Sequence, residues 1–293
     1  MARSIAFLFP GQGKIPRALP PLGERAERLY DRAEARGLPL RVWIDERRAD
    51  LLEQTANAQP ALLVDSLARD AALRAANWIP SVVAGHSLGE YCALVSAGVL
   101  DPLDGLCAVI ERGRAMRNAA GTMAAIVKLH LEAVEAICDD VGPGVCVANH
   151  NGPTQVVVSG ERTSVEDLCR RAERLGARSI PLQVSGPFHS PLMRPAEVAL
   201  EPFLRHLRFL TPEIPVVSSV TATDSRDPEA LREILCRQIT ARVRWFDVIR
   251  RLEEMNVDVA VEVGAGDVLT RLGRRSATGI RFVTYEEAID EQA

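Results

Sequence analysis

The chain opens on an uninterrupted apolar run, Ile5-Ala6-Phe7-Leu8-Phe9, closed by Pro10-Gly11. A short run without polar alternation is the pattern of a strand buried on both faces, as in a parallel sheet. Residues 22–36, rich in Glu, Arg and Ala, read as a helix. Residues 60–76 read as a second, with Pro60 at its start and Leu62, Leu63, Leu67 and Leu73 as its apolar stripe. Ser81-Val82-Val83-Ala84-Gly85 is a short strand and Leu88 to Ala97 a strong helix candidate. The pentapeptide Gly85-His86-Ser87-Leu88-Gly89 therefore falls on a strand-to-helix turn. A third helix is predicted over 103–118.

The rhythm changes between 122 and 184. Met123–Leu129 reads as a strand, Leu131–Cys138 as a helix, Val145–Ala148 and Gln155–Ser159 as two strands, Thr163–Leu175 as a helix and Ser179–Val184 as a last strand. Thr163 followed by Glu166 predicts a capping box at the start of that helix. The order βαββαβ is the split βαβ of ferredoxin-like domains, so 122–184 reads as a small inserted domain. It interrupts a large α/β domain made of residues 1–121 and 185–293. The remainder alternates again: helix 195–207, strand 215–220, helices 228–239 and 245–255, strand Val257–Val263, helix 267–274 and strand Ile280–Thr284. Strands alternating with helices imply a mainly parallel sheet with flanking helices.

Composition narrows the function classes. A chain of 293 residues with 47% apolar residues can bury a sizeable core and hold a cleft. The formal net charge of −4 and the 4% aromatic content, with no basic tract interleaved with aromatics, argue against a nucleic-acid role. The six cysteines share no C-x-x-C spacing and none has histidines at zinc-finger distance, so no metal site is expected. Scattered cysteines of this kind suit a reducing compartment. The N-terminal apolar run is too short for a signal segment, and no stretch approaches the roughly 20 apolar residues of a membrane span. The expectation is a cytoplasmic protein that contacts neither membrane nor nucleic acid.

The central chemical signal is the G-x-S-x-G pattern at 85–89. A nucleophile on a tight strand-to-helix turn is held in strained backbone geometry, and a side chain at either glycine is expected to clash with neighbouring strands. The turn lifts the Ser87 hydroxyl from the sheet and aims the following amides at a reacting carbonyl, an arrangement like that of α/β-hydrolases. The plainer reading is a glycine-rich helix start with a surface serine. A serine needs a base, and the chain has five histidines: His86, His130, His150, His189 and His206. His86 is expected to point the other way from the turn, and His130 and His206 look like ordinary strand-end and helix positions. His189 lies in a loop of turn formers, Ser185-Gly186-Pro187-Phe188-His189-Ser190-Pro191, but spacing alone does not choose between His189 and His150. A second glycine-bearing turn, Phe9-Pro10-Gly11-Gln12-Gly13, follows the first strand, where one amide could complete an oxyanion hole. The alternative is a phosphate-binding loop or a plain turn, and both this turn and Gly264-Ala265-Gly266 are weak nucleotide signals because neither glycine pattern is complete.

Taken together, FPGQG at 9–13, QPAL at 59–62, GHSLGEY at 85–91, ERGRAM at 111–116, GTMAAI at 121–126, NGPTQVVVSG at 151–160, SGPFHSPLM at 185–193, RVRW at 242–245 and EVGAGDVLTRL at 262–272 span nearly the whole chain. In this order the chain resembles the malonyl-CoA:acyl carrier protein transacylases and the acyltransferase domains of polyketide synthases. The resemblance implies Ser87 as the nucleophile carrying the acyl ester and His189 as its base and later acid, oriented by a backbone carbonyl in the region of Arg244. It implies the amides of Gln12 and Leu88 as the oxyanion hole and Arg112 as the partner of the malonyl carboxylate. Without it, Arg112 would read as a surface helix arginine. Phe188, His86 and Asn151 are implied as substrate-binding, with Phe188 matching the malonyl-selecting form of its loop.

The implied reaction is ping-pong transfer of an acyl group, most simply malonyl, from coenzyme A to the phosphopantetheine thiol of an acyl carrier protein. It needs no cofactor beyond the coenzyme A thioester substrate, and a monomer is expected. Two alternatives stay open: a discrete trans-acting acyltransferase of a polyketide pathway with a different acyl or acyl-carrier donor, and an acyl-thioester hydrolase. Two departures bear on this. FPGQG continues into Lys14-Ile15-Pro16-Arg17-Ala18-Leu19-Pro20-Pro21 rather than the usual glycine-rich stretch, and the segment between Met116 and Gly121 is shortened. The arginine clusters Arg170, Arg171, Arg174, Arg178 and Arg271, Arg274, Arg275 are candidate docking surface for an acidic carrier, although such runs are usually solvated faces.

Overall fold

The structure, a computed structural model, describes residues 3–13, 23–117 and 119–291. The altered loop at 14–21, and Asn118 within the shortened segment, lie outside the described residues. The chain runs β1 (Ile5–Phe9), α1 (Glu24–Ala35), α2 (Leu40–Asp45), α3 (Ala49–Leu52), α4 (Thr55–Ala75), β2 (Val82–Gly85), α5 (Gly89–Ser96) and α6 (Pro102–Met116). It continues through β3 (Thr122–Val127), α7 (Leu131–Val141), β4 (Val145–Gly152), β5 (Gln155–Gly160), α8 (Arg162–Arg174) and β6 (Arg178–Pro181). After a 3₁₀ turn at Pro191–Met193 come α9 (Arg194–His206), β7 (Val216–Val217), β8 (Asp224–Ser225), α10 (Pro228–Arg237), α11 (Trp245–Glu254), β9 (Val259–Glu262), α12 (Val268–Ser276), β10 (Arg281–Thr284) and α13 (Tyr285–Asp290).

The large sheet has the order β10-β9-β1-β2-β7-β8, parallel except for the edge pair β7 and β8. Its centre is β1, whose alternate residues enter two cores: Phe7 and Phe9 pack on one face of the sheet, Ala6 and Leu8 on the other. That double burial explains the continuous apolar run. Register places Phe9 opposite Gly85 and Leu8 opposite Glu262. The Pro10–Gly13 loop, the His86–Gly89 turn and the Gly264–Gly266 loop therefore leave the same carboxyl-terminal edge of the sheet, where open α/β sheets bind ligands.

The second sheet, β4-β5-β3-β6, is antiparallel and lies entirely within residues 122–181. Alternation again sorts its side chains. Ala124, Ile126, Val156 and Val158 pack under α7 and α8, whereas Met123, Ala125 and Val157 join the main core and face the large sheet's ligand edge. Two backbone bonds help tie the bodies together: His150 N–H to the Val243 carbonyl and Val243 N–H to the Ala148 carbonyl, both 2.8 Å.

Several local expectations are corrected. Helix α4 starts at Thr55, so Pro60 sits inside it rather than at its start. Helix α8 begins at Arg162 with Glu161 at its N-cap and no side-chain cap, because the Glu161 amide pairs with the Gly144 carbonyl and Thr163 is drawn into the first turn. The capping box in this chain is at Thr284 and Glu287, on α13. The strand expected over 215–220 pairs only at Val216–Val217. The clash expected at both glycines of the elbow is with a neighbouring strand only for Gly89, whose added Cβ would fall on the Phe9 carbonyl oxygen. At Gly85 the obstacle is the start of α5 itself, the Gly89 carbonyl and the Glu90 amide.

The backbone contact at Gly89 cannot be relieved by a rotamer change. Gly89→Ala should cost at least about 3 kcal/mol in urea unfolding. Gly279→Ala, exposed and meeting only the Glu253 carboxylate at 3.6 Å, should stay within about 0.5 kcal/mol.

Candidate active site

The elbow is built by β2 and α5. His86 N–H bonds the Phe9 carbonyl at 2.9 Å, after which Ser87 turns the chain at φ +53°. A non-glycine residue there is sterically strained, and such strain is maintained only where the surroundings impose it. The amides of Gly89, Glu90 and Tyr91 close the first turn onto the carbonyls of His86, Ser87 and Leu88. Among the described residues, the amides of Leu88 and Gln12 donate to no protein group. Leu88 is the N-cap of α5, where unpaired amides and the helix dipole favour negative charge. The Gln12 loop lies against the elbow: a Cβ on Gly11 would stand 2.9 Å from the His86 carbonyl oxygen. The Gln12 side chain reaches Thr55 Oγ1 at 3.4 Å, and Thr55 in turn pairs with Ser185 Oγ at 2.7 Å.

His189 meets Ser87 from the opposite side of the chain. Its Nε2 lies 2.8 Å from Ser87 Oγ, and its Nδ1 lies 2.9 Å from the Ala241 carbonyl and 3.1 Å from that of Gln238. Two carbonyls can only accept, so they assign the proton to Nδ1 and leave Nε2 to accept from the serine hydroxyl. The residue is also at positive φ, +58°, and its amide bonds the Ile239 carbonyl at 3.0 Å. Burial, followed by the charge on Arg112, holds the His189 pKa down to about 3.

Arg112 is buried at 1% exposure, which corrects the surface reading of its helix position. Its Nη1 donates to Gln59 Oε1 at 2.7 Å, and its Nη2 to Ser87 Oγ at 3.1 Å and Gln238 Oε1 at 3.4 Å. The guanidinium carbon lies 5.7 Å from the Tyr91 ring centroid, within cation–π range. Every hydrogen-bond acceptor is neutral, and burial lowers the Arg112 pKa from its ordinary value. A buried carboxylate, Glu90, lies one residue pair away: its Oε2 accepts from Gln238 Nε2 at 2.7 Å and Ser219 Oγ at 2.9 Å. Burial pushes the Glu90 pKa up, against hydrogen bonds from Gln238, Ser218 and Ser219.

A cavity of about 270 Å³ opens at Ser87 and His189. The small sheet supplies Met123, Ala125, Val157, Asn149 and Asn151 to its wall, and Leu62, Phe188 and Leu272 add apolar surface. Asn151 Oδ1 lies 3.0 Å from His86 Nε2, and the His86 ring packs edge-on against Trp245. His86 thus points toward the small sheet and not to the serine hydroxyl. His150 packs against Phe246, so of the two histidines left open by spacing only His189 reaches Ser87. Arg244 pairs with Asp247, and the carbonyl on His189 belongs to Ala241, just before RVRW. The two α12 amides at Leu269 and Thr270 are taken by Glu262, so the Gly264–Gly266 loop presents no open phosphate cradle there. A larger open depression, about 690 Å³, lies by Arg274, Arg281, Glu287 and Glu291, but those charges pair with one another. Among the described residues no three His, Cys, Asp or Glu side chains could hold a metal ion, and no helix is long and apolar enough to cross a membrane.

A sequence model of the acyl transferase domain matches residues 25–284. A malonyl CoA-acyl carrier protein transacylase of Bacillus subtilis is 39% identical over 97% of this chain and 93% of its own length. The crystal structure of an acyl-carrier-protein S-malonyltransferase from Burkholderia pseudomallei superposes with a TM-score of 0.91 at 34% identity, covering 98% of both chains. A second structure, a malonyl-transacylase in complex with its type II polyketide acyl-carrier protein, superposes with a TM-score of 0.90 at 32% identity over 98% of this chain and 99% of its own.

The chain belongs to the acyl transferase domain family.

Within this acyl transferase the sequence motifs converge, but the residues that support them were not all legible. Gln59 sits in the quoted QPAL run with no role attached to it. Gln238 and Ala241 belong to no motif, because a carbonyl carries no side-chain signal. Of the arginine clusters, Arg170 and Arg171 both pair with Asp167, Arg271 with Asp267 and Arg274 with Glu287, as solvated faces do.

A depressed pKa means that the imidazole stays neutral at every pH above it. Ring ¹⁵N spectra should show His189 neutral and Nδ1-protonated from pH 8 down to pH 5. Protonation near pH 6.5, the ordinary histidine value, would contradict the burial and the Arg112 field.

Proposed function

We propose that this acyl transferase moves a malonyl group from coenzyme A to the phosphopantetheine thiol of an acyl carrier protein, through an ester on Ser87. The observation that carries the reading is Arg112: a buried guanidinium with only neutral hydrogen-bond acceptors, one of them Ser87 Oγ. A cation is costly to bury without a carboxylate bonded to it, and a carboxylate on the acyl group would supply one in bidentate form. The relatives named above are malonyl transferases, and one is bound to an acyl-carrier protein; both support malonyl as the group and a carrier as the acceptor.

In this reading His189 Nε2 takes the Ser87 proton as Oγ attacks the thioester carbonyl. The free amides of Gln12 and Leu88 receive the oxyanion. The C–S bond then breaks, and the proton on Nε2 passes to the departing coenzyme A thiolate. The carrier's thiol enters the same cavity, gives its proton to His189 and takes the malonyl group, returning Ser87 to its hydroxyl. The apolar wall from Met123, Ala125, Val157 and Leu272 keeps water from the ester. Residues 122–184 act as an inserted domain that supplies the Met123, Ala125 and Val157 part of this wall to a catalytic domain of residues 1–121 and 185–293. Asn151 holds His86 and, with it, borders the substrate's path. Phe188, buried beside His189, crowds an α-branched acyl group by about 1–3 kcal/mol.

Intact-protein mass after mixing with malonyl-CoA should show a malonyl adduct that Ser87→Ala abolishes. Arg112→Ala should lower the rate of malonyl loading roughly 10- to 150-fold relative to acetyl loading, the worth of a charged hydrogen-bond pair. Malonyl loading that survives Arg112→Ala unchanged would refute the reading.

A further inference from the structure

The catalytic groups described so far touch the reacting atoms. Glu90 does not: it is 1% exposed and is not among the residues lining the cavity. Among the described residues it has no cation within ion-pairing distance, yet burying a carboxylate is expensive unless its hydrogen bonds are well used. One of them leads into the site. Gln238 Nε2 donates to Glu90 Oε2 at 2.7 Å and to the Ser87 carbonyl at 2.9 Å, while Gln238 Oε1 accepts from Arg112 Nη2 at 3.4 Å. The Gln238 backbone carbonyl in turn accepts from His189 Nδ1. A single fully buried glutamine thus touches the nucleophile's own carbonyl, the base and the buried cation.

A carboxamide has two unlike ends, and this one fits only one way. Reversed, its NH₂ would face a guanidinium, and its oxygen would face both a carbonyl and a carboxylate. The Arg112 contact is long and would be a weak restraint by itself. The bond to Glu90, at 2.7 Å the shortest that the Gln238 side chain makes, is the strong one. Ser219 holds the same Glu90 oxygen from the other side.

We propose that Glu90 is a positioning residue for acyl-group selection: by accepting from Gln238 Nε2 it turns the Gln238 oxygen toward Arg112 and holds the guanidinium in the pose that receives a carboxylate-bearing acyl group. This rests on the roles given above to Ser87 and Arg112. Losing the acceptor at position 90 lets the Gln238 amide turn, which sets NH₂ against the guanidinium and tilts it. Both malonyl and acetyl loading suffer where His189 is disturbed, but only the malonyl group depends on Arg112. The ratio of the two rates therefore isolates the selection step and does not depend on the fraction of folded enzyme.

The test is single-turnover loading of Ser87 from malonyl-CoA and from acetyl-CoA, read by intact mass, in wild type, Glu90→Met and Glu90→Gln. Glu90→Met removes the acceptor at similar volume and should lower the malonyl-to-acetyl ratio roughly five- to tenfold. Glu90→Gln keeps an oxygen in the Oε2 position and should restore the ratio to within about twofold. An unchanged ratio in Glu90→Met, or an equal fall in both variants, would overturn the proposal. If Glu90→Met yields no folded protein, Glu90→Asp, which withdraws the carboxylate by one methylene, should lower the ratio in the same direction, and an unchanged ratio there also overturns it. Failure of the wild type to load malonyl on Ser87 would instead sink the transferase reading itself.

Discussion

The arrangement of the site depends on burying one guanidinium without a bonded carboxylate. Arg112 needs acceptors on several sides, and the fold provides neutral ones from separate elements: Gln59 from α4, Gln238 from the turn after α10, Ser87 from the elbow. The Tyr91 ring of α5 covers its face. This requires α4 and α6 to lie very close. They do so at Gly113, where an added Cβ would stand 2.9 Å from the Ala56 Cα. The glycine one residue after Arg112 thus permits the close approach of α4 and α6 that brings Gln59 to the guanidinium.

The same charge bears on why the His189 ring is held by carbonyls. A carboxylate on His189 Nδ1 would stabilise the imidazolium, but it would also stand near Arg112 as a competing partner for any incoming carboxylate. Two backbone carbonyls fix the tautomer without that competition. The imidazole is then neutral beside a cation, and its pKa falls with burial and with Arg112. The buried carboxylate that the site does contain, Glu90, is kept one glutamine away from the guanidinium.

The small antiparallel sheet adds the remaining surface. Its strands alternate between a core under their own helices and a face turned to the large sheet's ligand edge, so one sheet serves as a domain core and a cavity wall together. The bridge between Ala148, His150 and Val243 anchors that wall two residues from Ala241, whose carbonyl holds His189. Wall and base therefore share a support.

Local chemistry made much of this legible in the sequence. The buried run at 5–9, the βαββαβ order and the glycine-flanked serine are patterns over neighbouring residues, and backbone sterics and burial decide them locally. Motif order singled out Ser87, His189 and Arg112, the last two of which the fold brings within hydrogen-bond reach of Ser87. Three things were decided only in three dimensions. Arg112 is buried because α4 closes over it, although its own helix reads as surface. Pro60 and Thr163 lie inside their helices because tertiary contacts started those helices earlier than their caps suggested. The groups that orient His189 are main-chain carbonyls of Gln238 and Ala241. Since every residue carries a carbonyl, only the path of the folded chain selects which two meet the imidazole.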